Sequence, residues 1–444
     1  MFKEIFYFGA IRLYLFDSNT GGCQRNMILV LITLFASIML EHDVIATEIP
    51  GKHDFGMRTR FQEVDDNWLK DAQAFTTRLK LTSRFSLDHN EQWQLLVEPN
   101  LAYAFNDGDY NSVTVKKSTS PIPDPQSFNW SQINLQYASD SNWQITLGRQ
   151  PLAFDNERHI GTVEFWQTPQ SFDALTYEFN DQVNWHLQYS YTNKVHRIFG
   201  HEATSTIPKD DIRYGLIDQR PANELGAHRL SAHLVNLTYK TEDNLSLVSY
   251  GYSVENKDLA RFSTHTLGVR ISDEFKPEKI KYRYTVEFAT QQNAYNNPVD
   301  YRAWYSLLEA GIQYKSHRLQ LSQEVLSENN WQGFITPLGT NHKFQGWADI
   351  FTGYGMQTGL RDHYLTYQGR YKKLRWRSVF HRFKNYKNGS TIGNEFDLEL
   401  AYRATRKWEF KLVYADYKTK QGLYYFPKAN HNLSTWFVSV AYNI

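Results

Sequence analysis

The sequence predicts an all-β transmembrane antiparallel β-barrel of about 18 strands, with short periplasmic turns and longer extracellular loops. Three observations favour this fold. Many segments are apolar at every second residue, short and long links between them alternate, and 16% of the 444 residues are aromatic although the mean hydropathy is only -0.58. A barrel accounts for all three, because one face of each strand meets lipid and the other faces a polar lumen.

The charge and cysteine content exclude two classes of protein. The 48 Lys and Arg residues balance 47 Asp and Glu residues, without the basic excess of a nucleic-acid-binding protein. A single cysteine cannot form a disulfide framework or a thiolate zinc site.

Serine-hydrolase, zinc-protease, P-loop and CxxC motifs are absent from the sequence, so we predict no enzymatic activity and no cofactor. A barrel enzyme with histidine at its strand ends is the less favoured alternative.

The N-terminus carries a targeting segment. The apolar run from Met27 to Leu40 is too short to span a bilayer, which needs about 20 residues. Three basic residues precede it, and Val44-Ile45-Ala46 follows as a cleavage signal. We therefore predict a signal peptide over 1–46 and a barrel over 47–444, with Met27 as an alternative initiator. A permanent inner-membrane anchor is the competing interpretation.

Period-two alternation justifies the individual strands. Along 280–288, one face carries Ile280, Tyr282, Tyr284, Val286 and Phe288, and the other carries Lys281, Arg283, Thr285 and Glu287. Eighteen such strands begin near residues 55, 75, 92, 130, 142, 172, 184, 230, 244, 262, 279, 304, 317, 362, 373, 394, 407 and 434. A soluble sandwich also alternates in this way, so the links between strands must decide.

The link lengths favour the barrel. Short links lie at 88–91, 139–141, 181–183, 240–243, 273–278, 315–316 and 404–406, and longer links lie at 65–74, 106–129, 150–171, 194–229, 292–303 and 327–361. Tight periplasmic turns and longer extracellular loops produce this alternation, whereas Greek-key crossovers do not. An even strand number places both ends of the barrel in the periplasm.

The expected location is the outer membrane of a Gram-negative bacterium. The partners are then outer-membrane lipids, which contact the apolar face, and the barrel assembly machinery. The last strand alternates to the end but finishes in Ile444, with Tyr442 as the nearest aromatic residue, whereas many such proteins end in an aromatic residue. Eighteen strands can enclose a pore in one chain, which favours a monomer over a trimer.

Several segments are similar to a known family. They are Leu147-Gly148-Arg149-Gln150, Asp155-Asn156-Glu157-Arg158-His159-Ile160-Gly161, Trp166, Ser171-Phe172-Asp173-Ala174, Asp71-Ala72 with Thr77-Arg78-Leu79, and the stretches 336–349 and 359–362. Together these residues resemble the alginate export porin family over about 55 to 444. The resemblance implies an eighteen-stranded outer-membrane channel with an arginine-rich lumen that passes the polyuronate alginate.

Charged residues assigned to the lumen are the candidate pore lining. They are Arg58, Arg60, Arg78, Lys80, Arg149, Arg158, Asp173, Arg283, Glu287, Arg375 and Arg377. Rings of Arg favour anions, and the guanidinium fork pairs with carboxylates. We therefore predict diffusion of an anionic polysaccharide or oligosaccharide, such as alginate-like uronates. A porin for another small solute is the alternative, and each arginine could instead brace the wall by pairing with an acid.

The 327–361 link supplies further candidates. It is rich in glycine and aromatic residues, and we single out His342, Lys343, Trp347 and Asp349. Aromatic faces stack on sugar rings, so the link either folds inward and narrows the pore or forms an extracellular cap. His342 and Asp349 alone are weak evidence for a metal, and no metal site is predicted.

Overall fold

The computed structural model describes residues 51–351, 357–420 and 426–444. The predicted signal peptide lies outside these ranges. Within them, no helix has both the length and the apolar character needed to cross a membrane.

Eighteen long strands form one sheet. Their bounds are β1 Lys52–Asp66, β2 Ala72–Ser86, β3 Trp93–Ala104, β4 Ser127–Ala138, β5 Trp143–Gln150, β6 Ser171–Asn180, β7 Trp185–His196, β8 Ala227–Lys240, β9 Ser246–Asn256, β10 Thr264–Phe275, β11 Ile280–Asn293, β12 Arg302–Tyr314, β13 His317–Leu326, β16 Leu360–Tyr371, β17 Leu374–Asn385, β18 Thr391–Arg403, β19 Trp408–Thr419 and β20 Leu433–Asn443. The short strands β14 (Glu328–Asn329) and β15 (Gln332–Gly333) pair only with each other. Short 3-10 helices lie in the links at Ala222–Glu224, Ala260–Phe262, Asn341–Lys343 and Pro427–Asn430.

The sheet closes on itself. Each long strand pairs antiparallel with its neighbours along the chain, β13 pairs with β16, and β1 pairs with β20 as well as with β2. Phe61 of β1, for example, lies opposite Phe75 on one side and Val438 on the other. A closed sheet has no unpaired edge, which is the condition for a β-structure to exist in hydrocarbon. The predicted fold and strand number are confirmed.

The links at one end of the barrel have six residues or fewer, whereas those at the other end have seven or more, except for 67–71 and 386–390. At one end, which we call the short-turn end, they span 87–92, 139–142, 181–184, 241–245, 276–279, 315–316, 372–373 and 404–407. At the opposite, long-loop end they span 67–71, 105–126, 151–170, 197–226, 257–263, 294–301, 327–359, 386–390 and 420–432. The first link is shorter than predicted because β1 runs to Asp66 and β2 begins at Ala72. The periplasmic position of the short-turn end stays a prediction.

The apolar face of the alternation points outward. On β11, Val286 and Phe288 are 45% and 51% exposed, whereas Glu287 between them is 1% exposed. Val286 lies opposite Ile271 and Leu308, which are also exposed, so the outer surface carries a continuous apolar belt. A soluble protein buries most of its apolar residues, whereas this barrel exposes them on its outer face. The outer face is therefore the surface that meets lipid.

Aromatic residues border the belt at the short-turn end. Trp93, Trp143, Trp185 and Trp408 begin β3, β5, β7 and β19. Their rings contact tyrosines of neighbouring strands, with centroids 4.8 Å apart for Trp93–Tyr137 and 4.7 Å apart for Trp408–Tyr442. Trp and Tyr favour the interface between hydrocarbon and water, so this girdle marks one membrane surface.

A charge placed in the belt should destabilise the barrel. We expect Val286→Arg to lower the free energy of unfolding by roughly 2–4 kcal/mol, because it places a cation in hydrocarbon. Thr285→Arg is the matched control, since Thr285 faces the lumen, and it should cost less than about 1 kcal/mol. Urea unfolding in phospholipid vesicles measures both. Equal losses would contradict the assignment of the two faces.

Candidate functional site

The 151–170 loop crosses the interior of the barrel. Pro151 follows the last residue of β5, and it lacks the N–H that a continuing strand would donate. The apolar residues of the loop then point into the molecule, where Leu152, Phe154 and Ile160 are buried. The loop reaches β9, β10, β11 and β13 on one wall and β1 and β2 on another, so it divides the lumen.

One group of contacts attaches this loop to the β9–β13 wall. Arg158, which is 1% exposed, forms an ion pair with Glu324 of β13 and donates to Gln345 Oε1 at 3.1 Å. His159 Nε2 lies 3.0 Å from the Tyr250 hydroxyl and 3.6 Å from Glu287. Burial acts to lower the pKa of Arg158, but Glu324 together with Tyr305, Tyr364 and Glu287 raises that pKa above its usual value, so Arg158 stays charged.

A second group of contacts attaches the loop to β1 and β2. Arg58 donates to the carbonyls of Glu164, Phe165 and Trp166 at 3.0, 2.9 and 2.6 Å. The Glu164 carboxylate accepts from Arg78 at 2.8 Å. Burial would raise the pKa of Glu164, but Arg78, together with Lys80 and Arg58, lowers it to about 2. The loop therefore carries a fixed negative charge against a cationic wall at neutral pH.

Arg60 makes a third, fully enclosed attachment. Its guanidinium pairs with Asp124 of the 105–126 loop and donates to the Phe165 carbonyl at 3.0 Å. Both side chains of the pair are almost completely buried. Asp124 in turn accepts from the backbone N–H of Gln167 at 2.7 Å. A buried pair of this kind is strongly destabilising to break, so it fixes the two loops together.

The described part of the 327–359 loop folds inward and packs on the 151–170 loop. Thr340 donates to Glu157 Oε2 at 2.6 Å, and the Gly161 N–H donates to the Leu338 carbonyl at 2.9 Å. On its other side the Ala348 N–H donates to Glu395 of β18 at 2.7 Å. Gly346 has φ +85°, and a Cβ there would lie 2.5 Å from the Glu395 carboxylate, so this approach requires glycine. The extracellular-cap interpretation therefore does not describe 341–349.

The two loops form a constriction between two cavities. A cavity of about 250 Å³ lies toward the long-loop end and one of about 480 Å³ lies toward the short-turn end, and His342 and Trp347 line both. Phe165 stacks on His342 with ring centroids 3.4 Å apart, and Arg377 of β17 lies 5.3 Å from the Trp347 ring. Asp349 holds His342 Nδ1 at 2.9 Å. The level between the two cavities is thus aromatic with a cation beside it.

Cations outnumber acids around the larger cavity. Its lining includes six cations, Arg58, Arg60, Arg78, Lys343, Arg377 and Lys411, and four carboxylates, Glu157, Glu164, Glu399 and Glu409. Arg60 is sealed by Asp124 and presents little surface. Lys411 and Glu399 pair at 3.1 Å, and Lys343 lies 3.9 Å from Glu157. The arrangement can attract an anion while the acids limit how tightly it binds.

Most candidate residues lie inside the barrel, but not in one place. Arg58, Arg60, Arg78, Arg377, His342, Lys343 and Trp347 line the larger cavity, Asp349 lines the smaller one, and Lys80 lies 3.8 Å from both Glu98 and Glu164. Arg158 and Glu287 are buried beneath the 151–170 loop. Arg283 pairs with Glu274 in a separate cavity near the short-turn end, and Arg375 pairs with Glu409 at 2.7 Å at that same end.

Arg149 and Asp173 require a correction, because they lie on the outer face. Arg149 is two residues beyond Leu147, which is 57% exposed to the outside, and it lies opposite Ile133, which is 42% exposed. Asp173 lies opposite Arg149 and binds it at 2.7 Å. The sequence-based assignment followed their charge, whereas the period-two alternation of β5 places them with the lipid-facing residues.

Other residues of the constriction were not predicted. Phe165 supplies the stacking ring, and Asp124, Glu324 and Glu395 are the acids that anchor the loops. The alternation could have placed Glu324 and Glu395 on the lumen face. Asp124 lies in an irregular link, where no periodicity indicates its partner.

The chain is similar to solved structures but matches no family model or curated sequence. Among solved structures, it is similar to Pseudomonas aeruginosa OccK1 (OpdK), with 13% identity, TM-score 0.62 and coverage of 88% of this chain and 98% of that chain. It is also similar to Acinetobacter baumannii OccAB3, with 12% identity, TM-score 0.60 and coverage of 89% and 99%. A further structure is that of OpdK with vanillate, at 13% identity, TM-score 0.62 and the same coverage as OccK1.

The chain has the fold of an outer-membrane porin. Its closed barrel and apolar outer belt, like those of the Occ channels, place it in the outer membrane of a Gram-negative bacterium. The predicted outer-membrane β-barrel fold is therefore confirmed. The solved structures with this fold include Occ channels, and they do not support the resemblance to alginate export porins at particular segments.

Removing the buried Arg158 charge should open the constriction. Arg158→Ala leaves Glu324 as an unpaired buried charge, which costs roughly 3–5 kcal/mol of anchoring. We expect a larger and noisier single-channel conductance in a planar bilayer. Arg382→Ala is the control, because Arg382 is exposed on the outer face of β17 and its loss should leave the conductance unchanged. An unchanged conductance in both variants would show that this pair does not hold the loop in place.

Proposed function

We propose that this porin is a passive diffusion channel for small organic anions. The observation that carries the proposal is the larger cavity, whose cationic lining adjoins the aromatic constriction at His342 and Trp347. Eighteen strands enclose the pore without a second chain, so a monomer is sufficient for transport. The solute follows its concentration gradient, and no energy source is required.

The pairing of the lining charges supports passage of an anion. Within the part of the chain that the structure describes, Arg377 forms no ion pair, and Arg78 is paired with Glu164 of the loop. An unpaired guanidinium presents its planar fork to a carboxylate. Neighbouring carboxylates such as Glu399 and Glu409 repel the same anion, which lets it leave the cavity. Transport needs both properties, because a solute that binds too tightly blocks the pore.

The volume of the smaller cavity supports a small solute. The cavity toward the long-loop end measures about 250 Å³, and the 151–170 and 327–359 loops beside it are attached to β13 and β18 respectively. OpdK was crystallised with vanillate, a small aromatic carboxylate. Solutes of that class fit an aromatic constriction followed by a cationic cavity. We therefore place small carboxylates ahead of a polysaccharide.

An oligouronate is the second candidate. The stacked pair Phe165–His342 and the Trp347 indole present aromatic rings at the constriction, and such rings pack on sugar faces. Lys343 and Arg377 lie close enough to meet uronate carboxylates. An extended chain could pass a narrow opening that excludes a compact solute of the same mass. This candidate keeps the alginate-like substrate as a proposal.

Removing two cavity cations should reduce anion selectivity. For the double variant Arg78→Gln with Arg377→Gln, we expect the chloride-to-potassium permeability ratio to fall roughly 25-fold, since each charge is worth about 1 kcal/mol, or about fivefold, to an ion at 4 Å in water. Reversal potentials in a salt gradient measure the ratio. The matched control is Arg283→Gln with Arg318→Gln, two arginines of the separate cavity near the short-turn end, which should have a smaller effect. Equal effects would contradict a localised selectivity site.

Competition between solutes separates the two candidates. Small carboxylates such as vanillate should reduce the chloride current of the wild-type channel at lower concentration than trimeric oligouronates. Trp347→Ala should weaken this preference, because it widens the constriction. Stronger block by the oligouronate in the wild-type channel would favour the second candidate. Block by neither solute, with cation selectivity, would reject both.

A further inference from the structure

A row of charged residues crosses the outer face of the barrel near the long-loop end. Arg149 of β5 lies opposite Asp173 of β6, and Asp173 lies opposite Lys194 of β7. Residues directly opposite in an antiparallel pair share a face, and the same row begins at the exposed Ile133 of β4. These cations therefore point away from the pore, and a solute inside the lumen does not meet them.

The row lies one step beyond the apolar belt. Leu147 lies two residues before Arg149 on β5, and Leu175 lies two residues after Asp173 on β6. Both leucines are exposed and lie on the belt side of the charged residues. Two residues of a strand span about 7 Å, so the charges lie at the level where hydrocarbon gives way to headgroups. Phe128 and Trp130 of β4 are exposed beside them, as expected for aromatic side chains at a membrane interface.

The wall has a recess at this position because β5 is short. The β4–β5 pairing ends at Ile133–Arg149, and the β5–β6 pairing ends at Gln150–Phe172, where the chain turns into the lumen. The first residues of β4 and the last residues of β7 continue past this point. Between them lies a cavity of about 470 Å³, whose lining includes Phe128, Trp130, Arg149, Lys194, His196 and His201.

The charges in the recess are arranged to receive an anion. Asp173 accepts from Arg149 at 2.7 and 3.3 Å and contacts His196 at 2.9 Å, which orients both side chains. Arg149 also donates to the Trp130 carbonyl at 3.3 Å, so three of its five N–H donors are used and two remain. Among the described residues, Lys194 forms no ion pair. Asp173 and Glu202 are the acids nearby, and Glu202 contacts His201 at 3.3 Å.

We propose that this recess binds the phosphate-bearing headgroup of a lipid in the leaflet at the long-loop end. Arg149 and Lys194 contact the phosphate, and Phe128 and Trp130 pack against the adjoining glycerol, sugar or first acyl carbons. Cations at a membrane surface attract anionic headgroups, and charge-assisted bonds from Arg give the site its geometry. A lipid is the occupant because the recess opens on the lipid-facing wall, where a soluble solute has little access.

Lipid binding to the purified, detergent-solubilised barrel tests this proposal. Native mass spectrometry with bisphosphorylated lipid A should show retained lipid on the wild-type protein. The double variant Arg149→Gln with Lys194→Gln should bind about 25-fold more weakly, since each cation is worth about fivefold. Lys194→Gln alone, which leaves no partner unpaired among the described residues, should bind about fivefold more weakly and keeps the test valid if the double variant folds poorly.

Three controls distinguish binding of a lipid phosphate at the recess from other causes of lipid retention. Arg382→Gln removes a cation on the outer face of the distant strand β17 that does not line the recess, so it should bind like the wild type. Dephosphorylated lipid A and inorganic phosphate alone should bind weakly. Equal lipid binding by the wild type and the Lys194→Gln variant, or equal binding of the dephosphorylated lipid, would overturn the proposal. Conductance should be unchanged in all these variants, so the result is independent of the channel function.

Discussion

Backbone hydrogen bonding in a solvent that offers none is the constraint on which this structure depends. Every N–H and C=O of a membrane-embedded strand needs a partner, and only a closed sheet supplies one to every strand. The pairing of β1 with β20 completes that closure. Because a closed sheet has two faces in two solvents, the period-two alternation follows, with Val286 in lipid and Glu287 in the lumen.

The loops inside the lumen depend on side-chain contacts and not on strand pairing. Loops that enter the lumen bring backbone and charged groups away from bulk water, and at two attachment points a buried charge is paired with a counter-charge. Arg158 with Glu324 and Arg60 with Asp124 are the two clearest cases. Such pairs add little net stability over an apolar substitute, but they fix geometry, because breaking one leaves a charge without a partner. These attachments fix the position of the 151–170 loop at the constriction.

Arginine side chains therefore occupy three different environments in this chain. Arg78 and Arg377 line a water-filled cavity, Arg60 and Arg158 are enclosed anchors, and Arg149 lies at the lipid interface. The residue type is the same, but the surrounding solvent differs, and the solvent decides whether the charge can meet a solute, a loop or a headgroup. A count of arginines does not distinguish these situations.

The sequence by itself determined the barrel. Alternation, link lengths and aromatic content predicted all eighteen strands to within a few residues, because period two is a local property that each strand shows on its own. Tertiary structure alone decided the site. The 151–170 and 327–359 loops have no periodicity, so their inward course depends on partners far along the chain, such as Glu324 and Glu395. Arg149 shows the boundary between the two: its alternation was readable in the sequence, but only the short β5 and the neighbouring strands revealed the recess around it.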